Sequence, residues 1–244
     1  MRTVNEKMRL GARHPLQAPA EGERVVIVGT GEQAEIVFEY FIYDSPYEVV
    51  AFSTEPQFVK AATFCGRPVV PLDQLAAAFP PAEYRAFVAV SATQLNRLRR
   101  RLYDAVKAAG YTCVSYVSSR AFVWHNVEVG ENSFIFENNV VQHRVRIGDS
   151  VILWSGNHVG HRTVIEDDVF VASHVVISGF CRVGRWSYLG VNSSVRDGLS
   201  LAEDCVIGAG AVVVKPTDSR QVYVGNPARA TGRDSFSVFN VPVD

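Results

Sequence analysis

"LWSGNHVGHRTVIEDDVFVASHVVISGF", residues 153–180, places an aliphatic residue at every sixth position: Leu153, Val159, Ile165, Val171 and Ile177. Continuing that step in both directions, from Val117 to Val213, meets Val, Ile or Leu at all 17 positions without an insertion or deletion. A helix repeats every 3.6 residues and a strand every two, so neither produces a period of six, whereas a hexapeptide parallel β-helix does. Three hexads close one triangular coil of 18 residues with the aliphatic side chains on the axis, and the run supplies between five and six stacked coils. Four places after an aliphatic residue a small or short one usually fills the next corner, as at Ser133, Val151, Thr163, Val175, Ser187, Ser193, Cys205 and Ala211; Asn139 and Asn157 break that rule. These two stand 18 residues apart and are expected to satisfy each other as a stacked amide ladder.

Upstream the pattern changes. "RVVIVG" (24–29) reads as a strand, "EQAEIVFEYFIYD" (32–44) as a helix and "YEVVAFS" (47–53) as a second strand. Next come "RPVVP" (67–71), a short helix over 73–79, "AFVAVS" (86–91), a long helix over 95–109 and "TCVSYV" (112–117). Alternating strands and helices predict a small parallel α/β domain. The expected organisation is a tail over 1–23, a Rossmann-like α/β domain over 24–116, a left-handed parallel β-helix over 117–218 and a C-terminal segment over 219–244.

The totals exclude several classes of function. With 24 Lys and Arg against 25 Asp and Glu, the formal charge of −1 offers no basic field for nucleic acid or an anionic membrane. No apolar run approaches the ~20 residues that span a bilayer, and residues 1–22 lack the hydrophobic centre of a signal peptide. Cys65, Cys113, Cys181 and Cys205 are widely separated with no CxxC pair, and read as reduced packing residues of a cytoplasmic protein.

The 18-residue coil turns sequence spacing into contact, because residues 18 apart lie about 4.8 Å apart on adjacent coils. His125, His143 and His161 therefore form a column, and the next residue in it is Gly179. A glycine there uncovers the backbone beside His161. An imidazole next to open N–H donors is what acyl transfer requires, a base for the nucleophile and a donor for the tetrahedral oxyanion. The alternatives are a surface ladder without a task and a zinc site; a straight column does not converge on a point, so no metal is expected. No serine or cysteine stands beside the histidine as a nucleophile, so acyl transfer without a covalent acyl-enzyme is expected.

"GTGEQA" (29–34) follows a strand and opens a helix, the setting in which helix N–H groups bind phosphate. Gly29, Gly31, Gln33 and Glu55 are the candidate substrate-binding residues. A nucleotide-sugar diphosphate, a nicotinamide dinucleotide with Glu55 on its ribose, and a purely structural turn all fit the motif. In "NRLRRRLY" (96–103), Arg97, Arg99, Arg100 and Arg101 are expected on a solvated helix face, opposite Leu98 and Leu102.

Together, "VVIVGTGEQAEIV" (25–37), the uninterrupted hexads, "GH" (160–161) before "RTVIEDDVFVAS" (162–173), and "IGAGAVVVK" with "YVGNPAR" (207–229) resemble a family of sugar acyltransferases. These are the sialic acid O-acetyltransferase-like and bacillosamine or perosamine N-acetyltransferase-like proteins, and the likeness covers about residues 24 to 230. The resemblance implies a homotrimer with acyl-CoA, expected to be acetyl-CoA, lying along the β-helix between subunits, and a nucleotide-linked amino sugar held by the α/β domain. It puts the catalytic base on His161, the amide facing the thioester carbonyl on Gly179, and the pantetheine and adenine path on Val191 and Ala209. The sequence departs from the family at Gly160 and Arg162, where some relatives carry glutamates beside the histidine; His143 is the expected orienting partner instead. It departs also at Gln33 and at Ser53, Thr54 and Glu55, where those relatives carry a histidine and aspartates. The expected function is N-acylation of a nucleotide-linked deoxyamino sugar for surface glycan. O-acetylation of a sialic acid-type sugar and a non-catalytic nucleotide-sugar binding module are the alternatives.

Overall fold

A computed structural model of the protein describes residues 22–242; the expected tail therefore lies, apart from Gly22 and Glu23, outside the described residues. Strands β1 (Arg24–Val28), β2 (Glu48–Thr54), β3 (Thr63–Phe64), β4 (Arg67–Pro71) and β5 (Arg85–Val88) form a sheet of order β3-β4-β2-β1-β5. All its pairings are parallel except β3 with β4. Alternation along β1 explains the layers. Val25 and Ile27 meet Val37, Phe38 and Phe41 of helix α1 (Glu32–Asp44). Helix α2 (Leu75–Ala78) is a single turn. On the other face, Val26 and Val28 meet Leu102, Tyr103 and Val106 of helix α3 (Arg97–Ala108).

Helix α3 begins two residues later than its sequence pattern suggests, because Gln94, Leu95 and Asn96 all adopt left-handed backbone. That turn drives Leu95, fully buried, against Val206, Val222 and Val241. The expected strand over 112–117 is divided: Cys113 bridges to Ala86 of β5, while Tyr116–Val117 opens the first coil of the β-helix.

The rest of the chain winds into a left-handed parallel β-helix. Its first face stacks strands from Tyr116–Val117 to Val206–Ile207, extended by Gln221–Val224 and Arg229–Asp234. The second runs from Phe122–Val123 to Val212–Val213 and the third from Glu128–Val129 to Ser200–Leu201. Register is 18 residues throughout: Val141 pairs with Val159, and Val159 with Ile177. Of the 17 axial aliphatics all but the partly buried Val129 are buried, each such side chain contributing about 1.5–3 kcal/mol. Cys181 and Cys205 are buried at their corners, as expected. The asparagine ladder is not formed. Asn139 Nδ2 instead donates to the Phe136 and Trp154 carbonyls at 2.8 and 2.9 Å, and Asn157 Oδ1 accepts from Val175 N at 2.7 Å. Each amide ties the chain to backbone, where unpaired donors and acceptors are costly to bury.

The outward residues of the first face, Tyr116, Phe134, Ile152, Phe170, Tyr188 and Val206, are apolar, and the α/β domain docks on them. Phe134 meets Phe41 and Phe87 at 6.1 and 5.7 Å between ring centres, and Tyr40 meets Phe136 at 5.0 Å. The corresponding column on the third face, Glu128, Arg146, Val164, Arg182 and Ser200, is mostly polar.

Of the arginines of helix α3, Arg101 is exposed as expected, but Arg97 and Arg100 are half-buried and Arg99 is buried. The helix lies along the corner between the third and first faces, where Arg97 pairs with Asp204 at 2.5 Å and Arg100 stands 3.7 Å from the buried Asp168. Arg97 and Arg185 flank Trp186 at 4.5 and 4.2 Å from its ring centre. Arg99 is wholly buried and donates to the carbonyls of Val90, Ser91 and Ser150 at 3.2, 2.8 and 3.0 Å. Burial pushes its guanidinium down to about 10, which leaves it charged at neutral pH. Arg99→Met keeps the volume but strips these carbonyls of their donor, a loss on the order of 3 kcal/mol. Urea titration followed by tryptophan fluorescence is expected to show a clearly lower midpoint for that variant; an unchanged midpoint would show that the buried cation does not hold the domains together.

Candidate functional site

The corner between the second and third faces carries the histidine column. His161 is half-buried, its ring parallel to that of His143 on the coil below, with centres 5.6 Å apart and planes within 8°. The edge of Phe180 meets it at 4.9 Å and 82°. His125, at the foot of the column, leans on Trp124 at 5.4 Å.

Above His161 the glycine leaves the imidazole the space it occupies. A Cβ on Gly179 would lie 2.6 Å from His161 Cε1, 2.9 Å from His161 Nε2 and 3.0 Å from Asp197 Oδ1. A Cβ on Gly160 would lie 2.4 Å from the Gly179 nitrogen. The Gly179 carbonyl accepts from Gly198 N at 2.9 Å, while its own N–H meets no acceptor among the described residues. An imidazole nitrogen and an unpartnered peptide donor thus share one corner, although Gly179 itself is buried in the single chain rather than uncovered as expected.

The Nδ1 partner of His161 is Gln142, not His143, which touches only the ring face. Gln142 Oε1 lies 3.2 Å from Nδ1 and also accepts from His161 N at 2.9 Å. Gln142 belongs to the column Trp124, Gln142, Gly160 and Ser178, one residue back from the histidines, so counting only steps of 18 passes over it. Beneath His161 opens a pocket of about 670 Å³ lined by Phe122, Trp124, Gln142, His143, Arg144 and Arg162.

Val191 and Ala209 stack one above the other and are exposed, but on the corner between the first and second faces. Within one chain they are not brought together with His161 and Gly179. The glycine loop is also elsewhere. Gly29 has φ +131° and a Cβ there would lie 2.7 Å from the Ala89 carbonyl, so close packing against the end of β5 demands glycine. Gly31 starts α1 without a side-chain cap, which leaves helix N–H groups free to meet an anion. Gln33 is 9% exposed and faces the core. Glu55 is held by Arg101 through two contacts of 2.9 and 3.0 Å, and this guanidinium keeps its carboxyl below the usual range. In a triangular coil the corner between the second and third faces lies opposite the first face, so the docked α/β domain and His161 stand on opposite sides of the same chain. Among the described residues no group of three His, Cys, Asp or Glu side chains could hold a metal ion, and no helix is long and apolar enough to cross a membrane.

The contact between Gly179 and the imidazole makes a sharp expectation. Gly179→Ala must push the His161 ring off its place and break the Nδ1 contact to Gln142. A crystal structure of the variant should show that displacement; a ring left where it was would contradict the packing described above.

No family model matches the sequence. Among solved structures the chain is similar to a histidine-to-asparagine mutant of perosamine N-acetyltransferase from Caulobacter crescentus in complex with CoA and GDP-perosamine. Identity is 26% over 88% of this chain and 98% of that one, with a TM-score of 0.76. The acetyltransferase domain of PglB from Neisseria gonorrhoeae FA1090 matches at 23% identity, 86% and 100% coverage and TM-score 0.76, and WeeI from Acinetobacter baumannii AYE at 22%, 85% and 99%, and 0.67; these two share the fold. The resemblance carried by the glycine loop, the hexads and the terminal motif is thus met in structure: the neighbours that match most of this chain include a perosamine N-acetyltransferase.

Proposed function

We propose that the chain is an acyl-CoA-dependent N-acyltransferase acting on the amine of a nucleotide-linked deoxyamino sugar, with acetyl-CoA as donor. The observation that carries the reading is the unpartnered Gly179 N–H beside the His161 imidazole, a donor for an oxyanion within reach of a base. His161 Nε2 takes the proton of the attacking neutral amine as the new C–N bond forms. The Gly179 N–H stabilises the negative charge that develops on the thioester oxygen. As the C–S bond breaks, His161 returns the proton to the departing thiolate, so atoms and charge balance without an acyl-enzyme. The CoA and GDP-perosamine complex of the Caulobacter neighbour supports both substrate classes.

The opposed placement of the two half-sites supports a shared site. A ligand reaching from the glycine loop, or from Val191 and Ala209, to His161 has to cross between copies of the chain, and the proposed assembly is a homotrimer in which each site is built by two subunits. Exposed Phe122, Val140 and Val176 on the second face give such an assembly apolar surface to bury. Gly29 and Gly31 receive the nucleotide diphosphate, with Gln33 and Glu55 near it, and the C-terminal segment lies toward the CoA end. The proposed setting is the cytoplasm and the product a component of surface glycan such as lipopolysaccharide, with neither a metal nor nucleic acid taking part.

His161→Ala is expected to lower turnover by at least ~10²-fold while leaving CoA binding intact. Thiol release from acetyl-CoA across UDP-, GDP- and dTDP-linked amino sugars and free sialic acid measures it. Near-normal turnover in the variant would remove the base; no thiol release with any amine, or release with a free sugar hydroxyl alone, would overturn N-acylation.

A further inference from the structure

Gln142 touches His161 twice, and the first contact dictates the chemistry of the second. A peptide N–H can only donate, so the Gln142 atom 2.9 Å from His161 N must be the amide oxygen. The same oxygen lies 3.2 Å from Nδ1. Having no hydrogen of its own, it can be bonded there only if Nδ1 carries the proton. A neutral imidazole protonated on Nδ1 keeps its lone pair on Nε2, the ring nitrogen turned toward Gly179. Turning the ring over about its bond to Cβ would lose the Nδ1 contact, and His143 on one face with Phe180 at the edge confine it.

We propose that Gln142 is a positioning residue that fixes the tautomer of His161 and thereby makes Nε2 the proton acceptor of the site; this rests on the acyl-transfer reading given above. Two consequences separate it from a carboxylate in the same role. The amide orients the ring without placing a negative charge beside it, as a carboxylate would. By occupying the His161 N–H, Gln142 also leaves the Gly179 N–H as the unpartnered donor nearest the ring on that corner, the place this proposal assigns to the oxyanion. Glutamine is therefore a substitute for the flanking glutamates that Gly160 and Arg162 replace, reaching the ring from the preceding coil.

Nitrogen-15 NMR of the histidine-labelled, ligand-free protein reads the tautomer directly. The unsubstituted chain should show His161 protonated on Nδ1, and Gln142→Leu should abolish that preference. In steady-state assays Gln142→Leu should reduce kcat about 10–100-fold with both KM values little changed. Gln142→Glu keeps the acceptor, so it should retain turnover at high pH while the acid limb of its pH–rate profile moves up by ~1 unit or more. Gln142→Glu also covers the case in which the leucine variant does not fold. His161 protonated on Nε2 in the unsubstituted chain, or a pH–rate profile unmoved by Gln142→Glu, would overturn the assignment. Because the NMR measurement needs no substrate, an Nδ1-protonated ring in a protein without transferase activity would sink the acyl-transfer reading and leave the tautomer assignment standing.

Discussion

The hydrogen bonds between successive coils are the constraint on which everything else rests. Phe180 N donates to His161 O at 2.9 Å, Arg162 N to His143 O at 3.1 Å and Gly160 N to Ile177 O at 2.7 Å. These parallel bonds hold the register at 18 residues, so a side chain keeps its corner from coil to coil while the axial aliphatics interlock beneath it. A slip of one residue would expose every buried Val, Ile and Leu above it and turn the Gly179 N–H away from the imidazole. The proposed chemistry and the core therefore depend on the same bonds.

Docking of the α/β domain adds the second constraint. An apolar first face, closed by Arg99 under the arginine helix and by the Arg97–Trp186–Arg185 stack, seats the glycine loop on one side of the coil. The histidine corner faces the other way. Rigid seating suits the proposed shared site, because a donor and an acceptor presented by different copies would meet in one geometry only if neither domain can rock on its own β-helix.

The sequence makes much of this legible, and the reason is periodicity. A step of six cannot be mistaken for a helix or strand, and a coil of 18 residues converts it into neighbours, which is how His161 and Gly179 are found together. What escapes is everything that depends on orientation rather than register. Gln142 sits one residue off the histidine column, and its importance lies in where its amide oxygen points. Arg99 looks like a surface charge, since the helical pattern of Leu98 and Leu102 carries no sign that carbonyls of two domains converge on that position. The left-handed corner residues recur every six positions from Asn132 to Gly210, yet Arg162, Phe180 and Trp186 stand among the asparagines and glycines that would have announced a turn. Asn139 and Asn157 have the spacing of a ladder and instead bond the backbone, each Nδ2 donating to the carbonyl three residues back.

The most direct test of the central claim is a crystal structure of the assembled protein with acetyl-CoA bound. Coil register and domain docking together predict the thioester oxygen within hydrogen-bonding distance of the Gly179 N–H, with the pantetheine arm passing Val191 and Ala209 of a second copy. A thioester bound away from the Gly179 and His161 corner, or a CoA contacted along its whole length by a single chain, would contradict the account.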